Sequence, residues 1–176
     1  YYKQRLVPFG EYVPLESWLR GAIDFFNLPM SAFKLPLEKQ GLLTQKIAIA
    51  GNICYEIAYP QLVALQAAKA QVILTVSNDT WFERSLAPWQ HLQMAQMRAL
   101  ENGKPVVRAT NSGVSALIDA AGQITHMAPL YERAEITGQV TLMSGETPYN
   151  TGLNWPVFLL SMGLIACGLR RNLLGS

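Results

Sequence analysis

The stretch that most constrains this chain is QKIAIAGNICYEIAYP, residues 45–60. An apolar run over 47–50 leads into Gly51 and Asn52, then Ile53, then Cys54-Tyr55-Glu56, and an Ala- and Gln-rich helical pattern follows Pro60 as far as Ala70. A run of strand formers, a turn former and a helical pattern predict a strand, a sharp turn and a helix. Cys54 falls where the strand hands over to the helix. A thiol at a helix start faces unpaired backbone N–H groups and the positive end of the helix dipole, both of which favour the reactive thiolate. The same N–H groups can stabilise an oxyanion formed beside the sulfur. The bland alternative is that Cys54 is a small buried hydrophobe, the commonest fate of a free cysteine. The phenol of Tyr55 and the carboxylate of Glu56, directly beside the thiol, tilt the reading toward chemistry.

The 176 residues suit one domain of ordinary size plus a tail. Half of them are hydrophobic and 15% are charged, against about 25% in an average soluble domain, so part of the chain is expected to sit in something other than water. The net charge of +2 and the lack of a basic stripe interleaved with aromatics give no footprint for nucleic acid. The second cysteine, Cys167, lies in a strongly apolar tail, so a bridge to Cys54 is not expected. No Cys/His cluster has metal-ligand spacing, and neither a metal nor a cofactor is implied. The two histidines, His91 and His126, are far apart. Because the chain opens at Tyr1 in mid-pattern, it is expected to be the C-terminal portion of a longer protein.

Taken in order, Leu6-Val7 reads as a short strand that ends in the turn Pro8-Phe9-Gly10-Glu11, flanked by Lys3 and Glu11. The stretch 17–40 holds Trp18, Phe25, Phe26 and other large apolar residues with little charge. It suits a lipid-facing helix or lid, or an ordinary insertion packed on a core. Residues 72–76 form a buried strand that ends in the loop Ser77-Asn78-Asp79-Thr80-Trp81-Phe82. Polar and aromatic groups just past a buried strand are where α/β folds place ligands. The spacing of Leu92, Ala95, Gln96, Ala99 and Leu100 predicts a helix over 88–102, stopped by Gly103 and Pro105. His91, on that helix, reads as a structural hydrogen-bonder, because no acidic or thiol partner stands beside it in sequence. Further strands are expected at 106–110, at 114–118 and at 134–142, the 114–118 strand pairing with a later one through the turn Asp119-Ala120-Ala121-Gly122. This order favours an α/β layered sandwich with a mixed sheet. A Gly-, Pro- and Asn-rich linker over 143–152 then leads to an uncharged run over 153–169. Trp155 near its start and Arg170-Arg171 after it mark the interfaces of a membrane-spanning helix, with 170–176 as a cytoplasmic tail. The competing reading is a C-terminal core helix.

Several motifs together resemble one family. These are YxKxxLVPFGEYVP at 1–14, ICYEIAYP at 53–60, VSNDTWF at 76–82, PWQHLQMAQMRALENGKPVVRATNSGVSALID at 88–119 and the terminal apolar helix. They are similar to the apolipoprotein N-acyltransferases, bacterial inner-membrane enzymes whose catalytic domain belongs to the nitrilase, or carbon-nitrogen hydrolase, superfamily. The resemblance implies a nitrilase-like αββα sandwich over 1–142, incomplete at its N-terminus, followed by the transmembrane helix. It also implies a Glu-Lys-Cys triad. Cys54 matches the nucleophile, Lys3 the catalytic lysine, Glu11 a supporting glutamate, and Tyr55 and Glu56 residues that assist beside the nucleophile. The general-base Glu would lie upstream of Lys3, and none of Glu11, Glu16 or Glu38 fits its place.

The chemistry implied is a two-step acyl transfer. The Cys54 thiolate attacks an ester of a membrane phospholipid such as phosphatidylethanolamine, a lysophospholipid leaves, and the α-amino group of a diacylglyceryl-cysteine on an apolipoprotein resolves the thioester. The catalytic domain would lie on the periplasmic face. A thiol is the least weak of the natural nucleophiles, and a thioester is reactive enough to acylate an amine. Lys3 would supply positive charge to the oxyanion. Trp18, Phe25, Phe26, Trp81 and Phe82 are the candidates for acyl-chain contact. A hydrolytic amidase that uses the same nucleophile and lysine, and a non-catalytic membrane module, are the alternatives.

Overall fold

The computed structural model of the chain describes residues 1–8, 10–12, 43–44 and 46–174. Its centre is a six-stranded mixed sheet whose spatial order follows the sequence: β1 (Leu43–Thr44), β2 (Ala48–Ile53), β3 (Val72–Ser77), β4 (Val106–Thr110), β5 (Ala116–Ile118) and β6 (Ile124–Met127). β2, β3 and β4 run parallel, while β1 pairs antiparallel with β2 and the β5–β6 hairpin closes the other edge. The two parallel connections carry α1 (Pro60–Ala67) and α2 (Ala87–Asn102). The strand–helix alternation therefore produces the α/β arrangement that the sequence predicts.

Both helices start as their sequences dictate. Pro60 and Pro88 occupy the first turn, where a missing N–H costs nothing. α2 ends at Gly103, which takes the left-handed conformation (φ 58) and returns its N–H to Ala99. The helices cover one face of the sheet. On that face the row Ala50, Ile73, Val106 and Ile118 lies in register across β2 to β5, and each residue is 0% exposed. It packs with Val63 and Ala67 of α1 and Leu92, Ala95 and Ala99 of α2. Each large aliphatic side chain so buried contributes about 1.5–3 kcal/mol. The other face is half-covered: its Leu74 is partly buried and its Val76 is 43% exposed.

Three expectations change. The helix does not begin at Cys54. A five-residue 3-10 turn, Cys54–Ala58, comes first, and the α-helix waits for Pro60. So short a turn has few aligned peptides, which weakens the dipole argument. The strand expected at Leu6-Val7 is an isolated bridge between Pro8 and Tyr12, because the Val7 carbonyl turns to accept from Gly10, Glu11 and Tyr12. The strand expected over 134–142 joins no ladder. That segment crosses the hairpin instead, at Gly138, where a Cβ would stand 2.6 Å from Leu117 and 3.0 Å from His126. The partner that β5 takes is β6, directly past the turn at Asp119.

The expected linker is tied down. Lys104, 1% exposed, donates its Nζ to the carbonyls of Met143 and Gly145 (2.9 and 2.7 Å). Asn150, in the short α3 (Pro148–Gly152), donates to Asn102 Oδ1 and the Ala64 carbonyl. Beyond it α4 (Trp155–Leu174) projects with every side chain from residue 155 to 170 exposed. Among the described residues, no helix is long and apolar enough to cross a membrane.

Candidate active site

The carboxyl ends of the three parallel strands bring the candidate site together, as in open α/β sheets generally. β2 delivers Cys54, β3 delivers Asp79, and β4 delivers the turn at Asn111. Cys54 is a free, half-buried thiol. Its backbone is left-handed (φ 55), a conformation that costs a non-glycine residue about 1–3 kcal/mol and persists only where the surroundings enforce it. The turn therefore presents the thiol on a sharp elbow rather than at the mouth of a regular helix.

Glu56, two residues on, is 0% exposed. Its carboxylate accepts four hydrogen bonds, from Ile53 N–H (2.7 Å), Gln4 N–H (2.5 Å), Arg5 N–H (3.0 Å) and the Tyr1 hydroxyl (2.9 Å). One side chain thus ties Ile53, the residue before Cys54, to Gln4, the residue after Lys3, which are 49 positions apart in sequence. Burial, joined by the charge of Glu56 and opposed by the Gln66 amide, pushes the Tyr1 phenol up to about 12, so it remains a donor. Glu56 supports the site by holding two backbone segments together.

Lys3 and Glu11 form a pair of their own. Lys3 Nζ lies 2.5 and 2.8 Å from the two Glu11 oxygens, one of which also accepts from Val7 N–H (2.8 Å). The pair is part-buried, with side chains 16% and 23% exposed. Glu11 therefore fixes both the ammonium and the turn that carries it. Tyr55 packs edge-on against Tyr59, ring centroids 5.6 Å apart, and Arg5 lies over the Tyr59 ring.

Behind Cys54 stands a cluster that sequence reasoning missed. Arg108 projects from β4 and is 2% exposed. Its Nε donates to the Val114 carbonyl (3.0 Å), and its Nη2 donates to Asp79 Oδ2 (2.6 Å) and lies 3.1 Å from His91 Nδ1. Asp79 Oδ1 accepts from Ser77 Oγ and lies 3.1 Å from His91 Nδ1, and His91 Nε2 lies 3.2 Å from the Cys54 carbonyl oxygen. Burial works against the Asp79 charge, but the hydrogen bonds from His91 and Ser77 and the charges of Arg108 and His91 outweigh it and hold its carboxyl below the ordinary range. Burial likewise pulls Arg108 down, opposed by Asp79 and by the negative form of Cys54. Gly113 makes room for the cluster, since a Cβ there would fall 2.1 Å from Asp79 Oδ2. His91 is the hydrogen-bonder its position on α2 suggests, but the absence of an acidic partner was misjudged: Asp79 comes from another loop, twelve residues earlier. One signal was legible. Arg108 stands inside the apolar run 106–110, and a charge in a buried strand needs a partner.

Of the remaining candidates, Phe82 turns inward, edge-on to the His91 ring at 5.7 Å, while Trp81 is 79% exposed. Trp18, Phe25 and Phe26 lie outside the described residues, as do Glu16 and Glu38. A small, mostly apolar cavity opens beside the elbow, lined by Tyr1, Gly51, Asn52, Ile53, Leu74 and Val76. Among the described residues no group of three His, Cys, Asp or Glu side chains is placed to hold a metal ion.

The family model for carbon-nitrogen hydrolases matches residues 1–148. The chain belongs to the carbon-nitrogen hydrolase family. Within reach of that family, it is 53% identical over 170 residues to an apolipoprotein N-acyltransferase of Pseudomonas putida, covering 96% of this chain and 34% of the relative. It is 48% identical over 164 residues to the enzyme of the same name from Haemophilus influenzae, covering 92% and 31%. The chain thus spans about a third of the length of these curated relatives. Among solved structures, Nit3 of Saccharomyces cerevisiae, a member of branch 10 of the nitrilase superfamily, overlaps 56% of this chain and 40% of its own, at 25% identity and a TM-score of 0.48.

Proposed function

We propose that the protein to which this chain belongs is an apolipoprotein N-acyltransferase: it moves an acyl chain from a membrane phospholipid, through a thioester on Cys54, to the α-amino group of a diacylglyceryl-cysteine at a lipoprotein N-terminus. The similarity to curated enzymes of that name along nearly the whole chain carries the reading. The roles follow from chemistry. The Cys54 thiolate attacks the ester carbonyl, the Sγ–C bond forms, and the lysophospholipid alkoxide leaves and takes up a proton. The Lys3 ammonium, held by Glu11, stabilises the oxyanion. Glu56 keeps the Lys3 and Cys54 segments in mutual register, and Tyr55 flanks the thiol. The general base is a glutamate upstream of Lys3 in the whole protein. The incoming amine then attacks the thioester, its N–C bond forms, and the thiol is released.

The same reading assigns surroundings to the parts that water suits badly. Of the uncharged run over 153–169, the part inside α4, 155–169, is exposed all round. A helix apolar on every face needs an apolar medium. The proposal places it in the bacterial inner membrane, with the folded domain on the periplasmic side and the Arg170 end in the cytoplasm. There the domain (1–142) meets phosphatidylethanolamine and the anchored apolipoprotein at the bilayer surface. Trp81, exposed beside the site, is a candidate for acyl-chain contact, with Trp18, Phe25 and Phe26. The half-covered sheet face packs against the second sheet of an αββα sandwich.

The deciding experiment is intact-mass spectrometry of the full-length protein in detergent with phosphatidylethanolamine, with Cys54→Ser as control. The expected result is a mass gain of one acyl chain that hydroxylamine removes and the variant lacks. Release of free fatty acid or ammonia from simple substrates without such an adduct would replace the transferase by an amidase.

A further inference from the structure

We propose that His91 is the positioning residue of the nucleophile: its imidazole donates from Nε2 to the Cys54 carbonyl and holds the elbow in its left-handed conformation. The inference rests on one part of the functional reading, that Cys54 is the nucleophile, and is indifferent to which molecule accepts the acyl group.

The elbow needs a restraint. Cys54 has φ 55, where an L side chain is strained, and strain of this kind relaxes unless neighbouring groups oppose it. The His91 contact at 3.2 Å falls on the carbonyl of that same residue. A carbonyl oxygen has no hydrogen to give, so the bond requires the proton on Nε2. The other ring nitrogen is built to permit this. Nδ1 lies 3.1 Å from Arg108 Nη2, which can only donate, and 3.1 Å from Asp79 Oδ1, which accepts. As a neutral imidazole the ring accepts from Arg108, and as an imidazolium it donates to Asp79. Nε2 carries its hydrogen in both states, so the bond to Cys54 survives a change of charge.

The ring has little freedom to leave. It is 3% exposed, and the Phe82 ring meets it edge-on at 89°. Asp79 and Phe82 come from the loop after β3, Arg108 from β4, and Cys54 from the end of β2. One imidazole therefore couples the loops of all three parallel strands to the reacting residue. Arg98, about two turns further along the same face of α2, adds a longer bond (3.4 Å) to the Ile57 carbonyl in the 3-10 turn that begins at Cys54. This is the relation of an outer-shell group to a functional one: it touches no substrate, and acts by orienting the group that does.

The test uses full-length protein in detergent and the burst of p-nitrophenolate from p-nitrophenyl butyrate, in which the Sγ–acyl bond forms, the ester C–O bond breaks and the nitrophenolate leaves. Three variants divide the possibilities. His91→Leu removes the donor, His91→Gln places an amide N–H near the position of Nε2, and His91→Asn reaches only the position of Nδ1. His91→Leu is expected to slow the burst by about tenfold or more, with the half-saturating ester concentration within about threefold of wild type, since misplacement of a reacting group by an ångström costs up to about 10²-fold. His91→Gln is expected to recover to within about threefold of wild type and His91→Asn is not. A merely structural histidine would lower the thermal midpoint without this split between Gln and Asn. The proposal is overturned if the burst of His91→Leu is within twofold of wild type, if Gln and Asn behave alike, or if wild type shows no burst that depends on Cys54. If His91→Leu does not fold, the Gln–Asn comparison decides. A normal wild-type burst without transfer from phospholipid would remove the acyltransferase and leave His91 in its role.

Discussion

Two ion pairs frame the Cys54 elbow, and they differ in one respect that matters. Lys3–Glu11 and Arg108–Asp79 have similar N–O separations, 2.5 and 2.6 Å. The first keeps 16% and 23% of its side chains exposed, and the second keeps none. Water screens a partly exposed pair and competes for its hydrogen bonds, so such a pair adds little stability. In a buried pair each charge depends on the other, because loss of one leaves the other desolvated and alone. The buried pair is therefore suited to fixing geometry, and the part-exposed pair is the one the proposed function gives a chemical role.

Arg108→Met would break the contrast most strongly. It strands the Asp79 carboxylate and removes a partner of His91 and of the Val114 carbonyl. We expect a loss of about 3–5 kcal/mol, read as a lowered midpoint in denaturant or thermal unfolding of the full-length protein. A variant as stable as wild type would erase the distinction. Asp79→Asn is expected to cost less, about 1–3 kcal/mol near neutral pH, and its pH dependence sharpens the comparison. The folded-state pKa of Asp79 is depressed, so its stabilisation is complete above the unfolded value near 3.8 and is lost as pH falls through the lower folded value. The gap in stability between wild type and Asp79→Asn should thus be widest at neutral pH and close as the pH drops below about 4. A constant gap down to acid pH would show that the Asp79 charge is not what the cluster uses. Lys3→Met is expected to change stability least, by under about 1 kcal/mol, while slowing Cys54 acylation by about 10²-fold or more. The two readouts together set the open pair apart; a large stability loss with normal acylation would invert the comparison.

The contrast also explains which parts of the site were legible beforehand. Cys54, Lys3 and Glu11 sit in short motifs, with Lys3 and Glu11 only eight positions apart. Local sequence is enough to place them. Asp79, His91 and Arg108 span 29 positions and three elements; the charge of Arg108 inside an apolar strand calls for a partner, but nothing local says which residue that is. The segment 134–142 failed for a related reason. Its alternation suits a strand, but joining the sheet requires a free edge in register, and β6 already occupies the edge beside β5.

What the sequence determined by itself was local: the strands at 72–77 and 106–110, the helix between Pro88 and Gly103, the apolar terminal helix and the sharp handover at Cys54. Each follows from side-chain period, a proline or a glycine within a few residues, which act before any tertiary contact exists. What only the tertiary structure decided was the support of Cys54. The left-handed backbone of Cys54, the four donors that converge on Glu56 and the imidazole poised between Asp79, Arg108 and the Cys54 carbonyl all require groups distant in sequence to be buried side by side. There, away from water, polar groups must find one another, and the geometry that satisfies them also holds the Cys54 backbone.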